Sequence, residues 1–253
     1  MTASRIIRFW GSSRRLTAWV GSFIVVVMFT ALPVAAAGKV PIVFSHNWAG
    51  YAADAQDVTL VHAAWTVPAV KRTSGNTYSS SWVGIGGTKS ETLIQAGTAQ
   101  EFENGQAVYY AWVEVLPQAA EQIASEDLRV RPGDKVGVTI RNMSGDRWEI
   151  KIENASSGQS VVRSLTYASC KCSAEWIEEQ PTIVSPSGET LATLANFGTV
   201  TFSDAYAKVG GTTVSLTKLN VVAVNLMSET KAVISTPGDL SESGNHFKIT
   251  YGG

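Results

Sequence analysis

The stretch Ala107-Val108-Tyr109-Tyr110-Ala111-Trp112-Val113-Glu114-Val115-Leu116 decides the fold class. Its period is two, as in a strand whose successive side chains point to opposite faces. One face carries Ala111, Val113 and Val115, which suit the space between two packed sheets. The other carries Tyr110, Trp112 and Glu114, two aromatics and an acid. Around Trp82 the pattern recurs: Val83 and Ile85 point one way, Trp82, Gly84 and Gly86 the other. Aromatic and small residues side by side on a non-core face predict a shallow cleft for an extended ligand.

Working outward, the same period holds over Val58–Thr66, Tyr78–Ile85, Val136–Arg141, Asp146–Glu153 and Gln159–Tyr167. It continues over Glu175–Glu179, Gly198–Ala207, Asn220–Met227 and His246–Tyr251. Turn residues punctuate these runs, among them Arg131-Pro132-Gly133-Asp134 and Thr236-Pro237-Gly238-Asp239. Only Thr190–Asn196 has the pattern of a short helix. Many short strands at regular spacing predict an all-β protein, an antiparallel β-sandwich forming one domain.

The first segment stands apart from that domain. Residues 1–37 hold four Arg (Arg5, Arg8, Arg14, Arg15) and no acid, then an apolar run from Ala18 to Leu32 and the small residues Ala35-Ala36-Ala37. This order predicts a secretory signal cleaved after Ala37, with an uncleaved anchor as the alternative. Arg14-Arg15 also hints at twin-arginine export. Residues 38–253 then form an extracellular domain that leaves the membrane behind. The 253-residue chain has 20 basic and 21 acidic residues, but the part after Ala37 has 16 against 21, about −5. That balance argues against a nucleic-acid partner, which would need a basic face. Cys170 and Cys172 are the sole cysteines. On a straight strand their Cα atoms would lie roughly 6.5–7 Å apart, so a bridge between them needs a bend. A loop bridge and free thiols both stay open.

The chemistry is narrowed by what is missing. No G-x-S-x-G elbow, H-E-x-x-H helix or phosphate loop occurs, and His46, His62 and His246 stand alone. Carboxylate and amide chemistry remains. Asn47-Trp48-Ala49-Gly50-Tyr51, Trp82-Val83-Gly84-Ile85-Gly86-Gly87, Leu93-Ile94-Gln95-Ala96-Gly97, Tyr110-Ala111-Trp112-Val113-Glu114 and Ala174-Glu175-Trp176-Ile177-Glu178-Glu179 occur in that order. Together they resemble the glutamic peptidases, the eqolisin family, in its bacterial branch. The resemblance implies a two-sheet, lectin-like jelly-roll sandwich and an acid-active endopeptidase that acts on polypeptides as a monomer, without cofactor or metal. It places the catalytic pair on Gln95 and Glu175, and the lining of the substrate cleft on Trp48, Trp82, Tyr110, Trp112, Glu114 and Glu179. Fungal members carry an acidic residue where this chain has Gly86, and their loop between Trp82 and Gln95 is one residue longer.

The pair is chemically sufficient. Peptide hydrolysis needs a base for water, a donor for the oxyanion and an acid for the departing amine. One carboxyl can be base and then acid, and a Gln amide is an uncharged donor whose oxygen helps hold the water. Strand alternation sets Glu179 on the face of Glu175, where a like charge favours protonation of one of them. Three alternatives remain at this point: a carbohydrate-binding module with coplanar Trp rings, a glycosidase using Glu114 and Glu175, and an inactive member of the family.

Overall fold

The computed structural model describes residues 6–8, 40–185 and 188–252, with 6–8 and 185 described by their backbone alone. The expected export signal thus lies outside the described residues, apart from the backbone of Ile6–Arg8. The strands are β1 (Ile6–Arg8), β2 (Ile42–Ser45), β3 (Trp48–Asp54), β4 (Val58–Thr66), β5 (Thr77–Ile85), β6 (Ile94–Glu103) and β7 (Gln106–Val115). There follow β8 (Glu121–Gln122), β9 (Lys135–Ser144), β10 (Arg147–Asn154), β11 (Gln159–Thr166), β12 (Ser173–Glu179), β13 (Thr182–Ser185) and β14 (Gly188–Leu191). The last are β15 (Thr199–Val209), β16 (Thr212–Ser215), β17 (Val221–Met227), β18 (Val233–Pro237) and β19 (Phe247–Tyr251). Among the described residues the one helical segment is a single 3-10 turn, Leu216–Lys218.

The fold is all-β and antiparallel along one ladder, in the order β11-β10-β9-β4-β15-β19-β18-β17-β3-β12-β5-β6-β7-β8. The ladder doubles over, so that β11 through β19 form a back layer and β18 through β8 a front layer. Indole donors tie the layers together: Trp65 Nε1 donates to Thr98 Oγ1 at 2.9 Å, and Trp176 Nε1 to the His62 carbonyl at 2.9 Å. Between them lies the main core, with Trp65, Trp148, Trp176, Phe202 and Phe247 fully buried. β2 departs from the antiparallel rule by pairing parallel with β17.

The facing expected for Ala111, Val113 and Val115 holds, since all three pack into the main core. Trp112 takes the opposite face with Trp48, Trp82, Leu93 and Ile177, which form a second apolar cluster on the front layer. The helix expected over Thr190–Asn196 is absent. Its first residues belong to β14, and Tyr78 bridges to Leu194 while its carbonyl accepts the Ala195 N–H at 2.9 Å. Pairing with the neighbouring strand outweighs the weak helical pattern. The two cysteines are bridged, with Cα atoms 5.1 Å apart. Lys171 between them has φ 51°, the bend that a straight strand lacks.

Candidate active site

Register assembles the site. Glu114 on β7 opposes Gln95 on β6, Gln95 opposes Gly84 on β5, and Gly84 opposes Glu175 on β12. These four residues form one row across four strands and share a face, because alternation carries every member of a row to the same side. Strands are about 4.8 Å apart, so the Gln95 and Glu175 backbones are roughly 10 Å apart with Gly84 between them. Gly84 has no side chain to fill that interval. A Cβ there would lie 3.3 Å from Glu175 Oε2, 3.0 Å from Leu93 Cδ1 and 2.8 Å from the Trp82 ring.

Each side chain of the row is held. Gln95 Nε2 donates to Glu114 Oε2 at 2.7 Å. Glu175 Oε1 accepts the Gly87 N–H at 3.1 Å. The loop bearing Gly87 is itself pinned, since Thr88 Oγ1 donates to Asp54 Oδ1 at 2.6 Å and Lys89 Nζ pairs with Asp54 at 2.6 Å. Gln95 Oε1 and Glu175 Oε2 are buried and have no hydrogen-bond partner. Two unsatisfied acceptors in one row are costly unless something donates to them, and a water molecule has two hydrogens to give.

Burial dominates the electrostatics. It pushes the Glu175 carboxyl up to about 7, partly offset by the Ser173 hydroxyl and the Gly87 N–H, while the Asp54 charge adds to the rise. The ordinary carboxylate value near 4.5 is therefore not that of this group in the resting site. Glu179 is held well above the ordinary range, first by burial and then by the Glu114 charge. It accepts from Asn47 Nδ2 at 2.9 Å and from Trp82 Nε1 at 2.8 Å.

Of the residues singled out from sequence, Gln95, Glu175, Glu114, Glu179, Trp48 and Trp82 come together. Trp48 and Trp82 meet edge to face, 5.1 Å apart at 78°, so they are not the coplanar platform of a carbohydrate module. The cleft expected along the face of Tyr110, Trp112 and Glu114 is closed: Trp112 and Glu114 are buried, as is Trp82, and Trp112 Nε1 donates to Ser80 Oγ at 2.9 Å. Tyr110 shares the face but not the site. Its hydroxyl donates to Glu101 Oε1 at 2.6 Å, beside a cavity of about 190 Å³ that Tyr78, Glu103 and Gln122 also line.

Sequence reasoning missed Asn47 and the Gly87 N–H as partners of the two acids. It also missed Glu178, which alternation sends to the opposite face. There Glu178 accepts from Ser81 Oγ and from Gln100 Nε2 inside the main core, and burial pushes it up to about 7. Gly86, where fungal family members carry an acid, has φ 107°, and a Cβ there would meet the Thr92 carbonyl at 2.4 Å. With this loop path only glycine fits.

Known proteins bear on the same geometry. Residues 46–251 match the family model described as Peptidase A4 family. Aspergillopepsin-2 of Aspergillus niger is 32% identical over 232 residues, 82% of this chain and 78% of the relative. The crystal structure of aspergilloglutamic peptidase from Aspergillus niger is 31% identical with a TM-score of 0.59, covering 69% of this chain and 99% of that one. Scytalido-glutamic peptidase, solved with a peptide-based transition state analog, superimposes with a TM-score of 0.70 at 24% identity, covering 81% and 98%, and shares the fold. The row that joins Gln95 to Glu175 is thus found in a chain that belongs to the Peptidase A4 family, the glutamic peptidases or eqolisins, and is a peptidase.

Proposed function

We propose that the protein is a secreted, acid-active endopeptidase in which Glu175 and Gln95 form the catalytic pair. The observation that carries this reading is the row Gln95–Gly84–Glu175, with a partnerless buried oxygen at each end of a position that lacks a side chain. A water donating to Glu175 Oε2 and Gln95 Oε1 satisfies both and is the nucleophile for the scissile carbonyl. Glu175 takes the proton of that water as it attacks, and then delivers it to the departing amine. The Gln95 amide N–H that does not face Glu114 donates to the oxyanion. Water donating to Oε2 also favours the charged form of Glu175 and draws its pKa back toward the acid range.

Acid activity is supported by the buried acids. Burial pushes Glu101, Glu175 and Glu178 each up to about 7 and raises Glu179 well above its ordinary range, so the fold is most stable in acid. Among the described residues no helix is long and apolar enough to cross a membrane. Export after removal of residues 1–37, action as a monomer, and a bacterial-type lineage belong to the same reading.

Digestion of an unfolded protein by wild type and Glu175→Gln at several acidic pH values tests the reading. Glu175→Gln keeps the shape and removes the proton acceptor, so turnover falls to background. A variant that cleaves at the wild-type rate places the catalyst elsewhere. Gln95→Ala is expected to cost on the order of 10²–10³ in kcat, as for loss of an oxyanion donor.

A further inference from the structure

A glutamine amide has two chemically different ends of nearly equal size, and rotation by 180° exchanges them. Catalysis by Gln95 requires one particular end toward the substrate: an N–H at the oxyanion and the oxygen toward the water. Nothing in the amide itself selects that orientation. Its neighbour does. Gln95 and Glu114 are directly opposed on β6 and β7, the pair of strands bringing their Cβ atoms to about 5 Å. Gln95 Nε2 donates to Glu114 Oε2 at 2.7 Å, the short distance of a charge-assisted bond. Both groups are buried, Gln95 at 0% and Glu114 at 2% exposure. A carboxylate only accepts, so the flipped amide would set oxygen against oxygen where water cannot intervene.

We infer that Glu114 is the positioning residue of the catalytic amide, locking the Gln95 side chain so that its second N–H faces the scissile carbonyl. It reassigns Glu114 from the lining of the substrate cleft to a support behind Gln95, and it rests on the Glu175–Gln95 reading given above. Beyond Glu114 lies Glu179, whose pKa burial and the Glu114 charge raise, while the Trp82 and Asn47 donors act in the opposite direction.

The test is a kinetic cycle on the full chain with a peptide substrate: wild type, Glu114→Gln, Gln95→Ala and the double variant, with Glu175→Gln as a separate control. Glu114→Gln is isosteric but offers both a donor and an acceptor, so the two amides can pair in either orientation. We expect kcat to fall roughly tenfold to a hundredfold, the range for loss of a hydrogen bond to a charged group. KM should stay within about twofold, because a residue behind Gln95 does not touch substrate. In the Gln95→Ala background the same change should leave kcat where it is, since the group being positioned is gone. A rise in KM, or an equal loss of kcat in both backgrounds, overturns the proposal and returns Glu114 to substrate binding or to the fold. Thermal unfolding of each variant separates loss of structure from loss of orientation. If Glu114→Gln does not fold, Glu114→Asp, which withdraws the acceptor by one methylene, is read in the same two backgrounds by the same criteria. Full activity in the Glu175→Gln control refutes the dyad itself, a result distinct from failure of the cycle.

Discussion

Gly84 and Glu175 are cross-strand partners, and a single methyl group on Gly84 would sit 3.3 Å from Glu175 Oε2. The same methyl would lie 2.8 Å from the Trp82 ring, closer than packed atoms tolerate. Gly84→Ala should therefore displace the indole and occupy the place of the attacking water. We expect a stability loss of about 1–3 kcal/mol, typical of overpacking, and a fall in kcat/KM of roughly a hundredfold or more, as for an ångström-scale misplacement. Thermal unfolding and steady-state kinetics on the purified variant measure both. Unchanged kcat/KM would mean that the reaction does not take place over Gly84.

The pH–rate profile tests the proposed role of Glu175. A base must be ionised, so activity is expected to rise with pH through its pKa. Burial sets that value at about 7 against an ordinary 4.5, and the incoming water lowers it. The acid limb of kcat/KM is expected below about 7. Activity with no acid limb at all would remove Glu175 as the base.

Stability should run the other way. Glu178 holds its proton to about 7 in the fold but releases it near 4.5 when unfolded. Below 4.5 both states are protonated and its contribution is complete; as pH rises to 7 the unfolded state binds fewer protons and stability falls. The loss for one such group is on the order of a few kcal/mol. Unfolding temperatures measured across this range should decline, and Glu178→Gln should decline less steeply. An identical slope in the variant would show that Glu178 is not among the groups responsible.

The bridge between Cys170 and Cys172 closes a loop of only three residues. The chain-entropy model gives so small a loop about 1–2 kcal/mol. In a domain of this size that corresponds to roughly 2–8 °C in Tm for the double Cys→Ala variant. A collapse of the fold without the bridge would contradict this.

The sequence displayed the sandwich wherever hydropathy alternated, as in Ala107–Leu116, where Val113 and Trp112 take the faces their spacing predicts. It did not display β6. Ile94-Gln95-Ala96-Gly97-Thr98-Ala99-Gln100-Glu101 is small and polar on both faces, because one face meets the site and the other a polar network in the core. Thr190–Asn196 misled for the opposite reason, its Leu and Ala spacing serving contacts with Tyr78 rather than a helix. Gln95 and Glu175 stand out only through the order of short motifs, since nothing local marks either residue. Glu178 and Glu179 are adjacent and chemically identical, and only the sheet decides that one faces the core and the other the site.

The doubled ladder has a consequence for the enzyme's own survival. A peptidase that accepts chains in extended form is surrounded by copies of itself, and each copy is a possible meal. Here the strands inside the ladder are hydrogen-bonded on both sides, so that drawing one out breaks two ladders at once. Among the described residues the strands paired on one side only are β1, β2, β8, β11, β14 and β16. Self-digestion should therefore begin at one of these or in the turns, and should spare the strands that carry Gln95 and Glu175 until the molecule has already opened.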